Sequence, residues 1–191
     1  FLTLINDQNP VVVHDFLALL PILVLNNSDF QQLFSFNIME KLMKLIENKT
    51  PLAISSLRAL LSSNTTTQNL FFGTVENMSI MASLLENEDA DTLSLFIEIF
   101  SSQNSSNYRH FLKEANIIQI ILNKSLSGNQ QFIRLLGLSI KKEPDFCKLI
   151  RENDNLSKFL NTYLQSNDEI ADMYYLALFK SFLYQSDESC Y

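Results

Sequence analysis

The feature that most constrains this chain is a series of helix-capping residues that recurs at a nearly constant spacing. Each member is Asn, Asp or Thr, and each is followed by an apolar pattern with the period of a helix. A side-chain oxygen at such a position can accept a hydrogen bond from an unpaired N–H group of the first helical turn. Neighbouring members lie about 40 residues apart. This cap series consists of Asn9, Thr50, Asp89, Asn129 and Asn167.

A second series of polar residues has the same period. An asparagine followed at once by an apolar residue recurs at the same interval, always twelve or thirteen positions before a member of the cap series. This asparagine series consists of Asn37, Asn77, Asn116 and Asn155. Two series with one period indicate internal repeats of about 40 residues. We therefore expect a helix to begin near each of the nine residues.

Apolar residues follow the cap series at fixed distances, and these predict how the repeats pack. Positions seven and eleven residues after a cap lie four apart and so share one face of a helix. A single repeat cannot bury such a face, whereas stacked neighbours can. Phe96 and Leu136 are therefore expected to be buried where adjacent repeats meet. The whole set is Phe16, Leu57, Phe96, Leu136 and Tyr174 at the seventh position, and Leu20, Leu61, Phe100, Ile140 and Leu178 at the eleventh.

The predicted fold is all-α, a right-handed α-solenoid of about four repeats with a partial repeat before them. Only 3 Gly and 4 Pro occur, and 47% of the residues are hydrophobic, which favours helices. We expect one domain over 1–191, with the partial repeat in 1–26 and repeats at about 29–63, 68–102, 107–142 and 144–184. The polar runs 62–69 and 101–107 are predicted loops. Because the chain opens on what resembles the end of a helix, we expect a fragment of a longer protein.

Residues 114–142 resemble an armadillo repeat. Ala115-Asn116-Ile117-Ile118 is similar to the Ala-Gly-Ala-Leu segment of that family, with Asn in place of Gly, and 129–140 match the family's polar cap and apolar stripe. The resemblance extends over nearly the whole chain, but its motifs are generic, and HEAT repeats are the close alternative. It implies a short first helix, a middle helix and a last helix that lines a concave groove.

The chain departs from the armadillo receptors that import nuclear cargo. Those receptors carry Trp nine residues and Asn thirteen residues after the cap, whereas this chain contains no Trp at all. A nuclear-import receptor is therefore not expected. The residues present are Ala18, Ala59, Glu98, Leu138 and Leu176 at the ninth position, and Ile22, Ser63, Ser102, Lys142 and Lys180 at the thirteenth.

Composition and scattered reactive residues argue against several functions. A net charge of −7 is unlike a nucleic-acid-binding surface, and no apolar run is long enough to span a membrane. Two Cys residues are too few for a disulfide framework, so we expect a cytoplasmic protein, with the nucleus as the alternative. His14, His110 and Cys147 form no catalytic or metal-binding pattern, and no glycine-rich phosphate loop occurs. We expect no enzyme, no cofactor and no metal site.

The candidate site is a basic stretch of the predicted groove in this acidic chain. Cations and leucines would line it together, and its ligand would be an acidic, partly apolar peptide or helix of a partner protein. The alternative is that the cations are ordinary helix-terminal residues favoured by the helix dipole. The predicted groove residues are Arg134, Leu138, Lys141, Lys142, Leu176 and Lys180.

Two function classes follow from this architecture. The first, which we expect, is a scaffold or regulatory adaptor that binds a partner peptide or helix in the concave groove. The second is a structural segment of a larger assembly, which contacts its neighbours, including further repeats of the same protein, through its ends and convex face. Exposed apolar end faces at 1–6 and at 179–184 would favour the second class, and a clean polar cap would favour the first.

Overall fold

The computed structural model describes residues 2–101, 116–140, 150–151, 154–165 and 168–188. All regular structure in these residues is helical, which confirms the all-α class. The helices are a 3-10 turn at Leu4–Asn6, α1 Pro10–Val24, α2 Ser28–Glu47, α3 Ala53–Leu61, α4 Thr65–Phe72, α5 Val75–Glu86, α6 Ala90–Ser101, α7 Ile117–Leu126, α8 Gln130–Ile140, α9 Asn155–Gln165 and α10 Glu169–Glu188.

Three members of the cap series cap helices as predicted. The side-chain Oδ1 of Asn9, Asp89 and Asn129 accepts a first-turn N–H at 3.0, 2.8 and 3.2 Å, at the start of α1, α6 and α8. Asn167 lies outside the described residues. The cap of α10 is Asp168, whose Oδ1 accepts the N–H of Ile170 at 2.9 Å.

The predicted helix start at Asn37 is wrong, because α2 continues through it without a break. The Asn37 side-chain amide donates to the Leu33 carbonyl at 2.6 Å, so it bonds back along the same helix. Residues 33–40 contain neither Gly nor Pro, and nothing in them interrupts the helix. The helix begins instead after Asn27, whose side chain accepts the N–H of Phe30 at 3.1 Å.

Thr50 ends one helix rather than opening the next. Its N–H donates to the Leu45 carbonyl at 2.8 Å, which completes the last turn of α2. Pro51 and Leu52 then form a turn, with Leu52 at a φ of 66°. As a result α3 begins at Ala53, two residues later than a cap at Thr50 would place it, and no side chain caps it.

The other members of the asparagine series lie at or near the start of a helix, but their side chains do not cap it. Asn77 is inside the first turn of α5 and donates its Nδ2 to the Phe71 carbonyl at 3.1 Å. Asn116 precedes α7 with a φ of 58°, a conformation that Asn tolerates better than most residues. Asn155 is the first residue of α9. The predicted loop at 62–69 is half helical, because α4 begins at Thr65 after the cap Asn64.

The chain forms two compact units, Phe1–Leu84 and Leu85–Tyr191. In the first unit, α3 packs against both α1 and α2, and α2 also contacts α4. In the second unit, α8 packs against α6, α7 and α10, and α9 contacts α7 and α10.

The apolar positions after the caps form the core of each unit. Phe96 and Leu136 are both 0% exposed, as predicted. Tyr174 is only half-buried, and the neighbouring Tyr175 is buried instead. The positions confirmed as buried are Phe16, Leu20, Leu57 and Leu61 in the first unit, and Phe96, Phe100, Leu136 and Leu178 in the second.

The repeat period also occurs in the backbone conformation. Lys49, Glu88 and Gly128 have φ values of 54°, 58° and 88°, and each lies two residues after the end of α2, α5 or α7. A left-handed residue at this place is a common way to end a helix. The intervals between these three residues are again about 40 residues, and α1 and α3 end in the same way, at Asn26 and Ser63 with φ values of 55° and 53°.

Side chains from neighbouring helices complete the end of α3. The last carbonyls of a helix have no partner within that helix and need donors from elsewhere when they are buried. Here side chains of α2 and α4 donate to them at 2.7–3.1 Å, which joins the three helices. The pairs are Gln31 with Ala59 and Ser62, Thr67 with Leu60, and Gln68 with Leu61.

Candidate interaction surfaces

Arg134 and Leu138 lie one turn apart on α8, beside its contact with α10. The Arg134 guanidinium is 6.0 Å from the centre of the Tyr174 ring, within range of a cation–π interaction. Arg134 is exposed and Leu138 is half-buried. The two helices approach closely here, since a Cβ built on Gly137 would lie 3.6 Å from the Cα of Leu178.

Leu176 and Lys180 lie on the opposite side of α10. Leu178 faces α8, and a residue two positions before or after it points about 200° away around the helix. Leu176 is 54% exposed, and Lys180 is also exposed. The structure therefore forms two separate pairs of predicted residues and does not join Leu176 and Lys180 to Arg134. Lys141 and Lys142 lie outside the described residues.

The cap of α10 lies one residue later than predicted, at Asp168 rather than Asn167, but the buried face does not shift with it as a whole. Tyr175 is buried instead of Tyr174, whereas Leu178 is buried at its predicted position.

An apolar stripe covers the outer side of α10. We call Ile170, Met173, Leu176 and Leu183 the α10 outer stripe; they are 54%, 62%, 54% and 61% exposed. Their spacings of three and seven residues keep them on one face, and Lys180 lies among them. The inner face is apolar too, because Ala171, Tyr175 and Leu178 are buried. A helix with apolar residues on both faces is typically one that is covered on both sides.

Polar side-chain contacts connect the starts of α6, α8 and α10 in the second unit. The Glu88 carboxylate accepts from Lys124 Nζ at 2.8 Å and from Asn129 Nδ2 at 3.0 Å. The Lys124 hydrogen bond and charge hold the pKa of Glu88 below its usual value. Gln130, the first residue of α8, donates its side-chain amide to the Asp168 carboxylate.

The residues considered for catalysis form no centre in the described part of the chain. His14 is exposed, with Nδ1 3.6 Å from Oδ1 of Asp15, and His110 and Cys147 lie outside that part. No three side chains among the described His, Cys, Asp and Glu residues could hold one metal ion. None of the described helices combines the length and the apolar character needed to cross a bilayer.

The chain was compared with family models, with curated proteins and with solved structures, and none of these comparisons found a match. The resemblance to armadillo repeats therefore rests on the residue pattern.

Proposed function

We propose that this chain is an interaction module built of armadillo-like repeats, and that it acts as a structural segment of a larger protein assembly. The common period of the caps and of the left-handed helix ends supports repeats. Contacts between successive last helices, α1 with α3 in one unit and α6 with α8 and α8 with α10 in the other, support stacking into an α-solenoid. We propose a binding role without catalysis, in the cytoplasm or nucleus.

The α10 outer stripe is the observation that carries this function. In the second unit α8 contacts a last helix on each side, whereas the outer stripe leaves large apolar side chains more than half exposed. Each Å² of apolar surface removed from water contributes about 25 cal/mol, so covering the stripe favours association. The proposed occupant is an amphipathic helix of a partner protein, with its apolar face on the stripe and a carboxylate near Lys180.

The test compares polar substitutions on the stripe with matched substitutions elsewhere. Met173→Gln with Leu176→Gln removes two stripe residues, and Val11→Gln with Ile22→Gln removes two α1 residues that are 61% and 71% exposed. Both variants should unfold within about 0.5 kcal/mol of the parent per site, because surface changes have small effects. Only the stripe variant should lose binding of the partner helix.

The partner is identified by photo-crosslinking from Leu183, which the stripe variant retains, followed by mass spectrometry. Crosslinks to one apolar helical segment, lost in the stripe variant and kept in the α1 variant, are expected. Equal capture by both variants would contradict the proposal. So would crosslinks only to a second copy of this chain, with a matching dimer in sedimentation.

A second candidate is the scaffold or adaptor that binds an acidic, partly apolar segment in the groove. The exposed Arg134 beside the half-buried Leu138 favours it, and Lys141 and Lys142 belong to the same proposal. Reversing Arg134, Lys141 and Lys142 to Glu should then abolish binding of the partner. Such binding should also weaken as salt rises, because salt screens exposed charges over about 8–10 Å. If the charge reversal has no effect and the stripe variant loses binding, the groove is not the site.

A further inference from the structure

A groove of about 460 Å³ lies in the first unit, between the second half of α2 and the corner of α4 and α5. Its floor is apolar: Met39 and Met43 are buried, and Leu70 and Ile80 are half-buried. Phe36 stands at one edge with 65% of its surface exposed. We call this site the α2–α5 groove. Its residues come from two segments more than twenty residues apart, so no local sequence pattern indicated it.

The rim of the α2–α5 groove is acidic. Glu40, Glu47 and Glu76 line it together with a single cation, Lys44. Lys44 Nζ donates to Glu40 Oε1 at 2.6 Å, and this pairing holds the pKa of Glu40 below its usual value. Glu47 and Glu76 form no ion pair with any residue that the structure describes. The rim therefore keeps a net negative charge beside an apolar floor.

One buried polar group in the groove wall has no partner among the described residues. The Ser35 side chain lines the groove and is 1% exposed, and its hydroxyl makes no hydrogen bond there. Other buried helical serines do bond to the carbonyl four residues earlier, as Ser125 and Ser139 do at 2.7 Å. Buried hydroxyl groups are rarely left unpaired. The hydroxyl oxygen itself is closed to solvent, so a ligand in the groove reaches it only if the side chains that cover it move.

We infer that the α2–α5 groove binds a short segment of a partner protein in which apolar side chains are flanked by Lys or Arg. The volume is within the range of natural binding pockets, and the two flexible Met side chains of the floor can adapt to different apolar anchors. The unpaired carboxylates of the rim favour cations and disfavour an acidic segment. The groove proposed around Arg134, Lys141 and Lys142 would prefer the opposite charge, an acidic segment, so peptides of opposite charge distinguish the two sites.

The methionines give a site-specific measurement. The chain has 5 Met residues; Met39 and Met43 line the groove, Met78 and Met81 are buried in α5, and Met173 lies on α10 in the other unit. Methyl NMR of the Met-labelled chain is recorded while three peptides are added, KRLLRK, EDLLDE and KRSSRK. KRLLRK should shift Met39 and Met43 and leave Met173 unchanged, and the other two peptides should bind at least about tenfold more weakly. The proposal is overturned if KRLLRK at 1 mM leaves Met39 and Met43 unshifted, or if EDLLDE binds as well.

Charge-removing variants test the rim. Glu47→Gln with Glu76→Gln should weaken KRLLRK binding by about two- to tenfold, as expected for two exposed charge contacts. The matched control, Glu86→Gln with Glu169→Gln, removes the same charge from the second unit and should change the affinity less than about twofold. Equal effects of the two variants would show that only net charge matters and overturn the site.

Discussion

The Ser56 hydroxyl of α3 donates a hydrogen bond of 2.9 Å to the Leu17 backbone carbonyl of α1, and both residues are buried. They are 39 residues apart, which is one period of the cap series. The sequence period thus corresponds to a contact in space, because residues one period apart meet on successive last helices. Such a contact forms only where neighbouring repeats are stacked in the correct register.

Replacing Ser56 tests this contact. Ser56→Ala should lower the free energy of unfolding by about 0.5–1.5 kcal/mol, the usual net value of a buried hydrogen bond. Ser79→Ala is the control, because Ser79 is an exposed residue inside α5 and gains the same helix propensity without losing a buried bond. Urea denaturation should show a clear difference between the two variants. Equal stabilities would mean that the inter-helix bond contributes nothing.

The contact between α6 and α8 should depend on their buried apolar residues. Phe96→Ala and Leu136→Ala should each lower the free energy of unfolding by about 2–5 kcal/mol, from lost transfer energy and the cavity left behind. Leu164→Ala is the control, since Leu164 is 75% exposed and should change stability by less than about 0.5 kcal/mol. If both core variants cost less than about 1 kcal/mol in chemical denaturation, the repeat alignment is wrong.

The left-handed residues that follow the helices predict that substitutions at equivalent positions change the stability of the protein in opposite directions. Lys49→Gly should stabilise the protein by about 0.5–1 kcal/mol, because a side chain at a φ of 54° is strained and Gly is not. Gly128→Ala should destabilise it by about 1 kcal/mol for the same reason. Lys41→Gly, inside α2, is the control and should also destabilise by about 1 kcal/mol. A loss of stability in Lys49→Gly, measured by thermal denaturation, would contradict the argument.

Local signals explain what the sequence could predict of the fold. A cap and an apolar stripe act within one or two turns of a helix, so the starts at Asn9, Asp89 and Asn129 and the burial of Phe96 and Leu136 followed from the pattern. An Asn, Asp or Thr shows only that a helix can begin at that position. Nothing interrupts the helix before Asn37, so this Asn lies within α2 and does not begin a helix.

The surfaces were harder to predict because they depend on helix orientation and on contacts between distant residues. Leu178 faces α8, so Leu176 and Lys180, two residues before and after it, lie on the outer side of α10, away from Arg134. Which face of α10 packs on α8 is decided by the contact between the two helices, and counting from a cap does not give it. The α2–α5 groove depends on how α2 packs against α4, which brings residues of α2 and α5 to one groove and which the pattern within each helix does not contain.

The ion pair between Glu88 and Lys124 predicts a specific dependence of stability on pH. Lys124 holds the pKa of the folded Glu88 carboxylate below its usual value, so Glu88 binds a proton more readily in the unfolded chain. Its stabilising effect is therefore complete above the unfolded pKa of about 4.3 and is lost as the pH falls through the lower folded pKa. Urea denaturation from pH 7 to pH 3 should show a shallower acid decline in Glu88→Gln than in the parent.

A double-mutant cycle distinguishes the effect of the Glu88–Lys124 ion pair on stability from the effects of the other carboxylates. Lys124→Met removes the cation, and it should flatten the acid decline as Glu88→Gln does, because either change breaks the same pair. The double variant should add nothing further, since interacting residues are not additive. Additive effects would mean that Glu88 and Lys124 act separately. An unchanged acid decline in Glu88→Gln would mean that the Glu88–Lys124 ion pair is not formed in solution.

Glu88 also accepts a hydrogen bond from the side chain of Asn129, the residue that caps α8. The Glu88–Asn129 contact should therefore help to fix the start of that helix. Hydrogen exchange in the first turn of α8 should then rise in Glu88→Gln at pH 7.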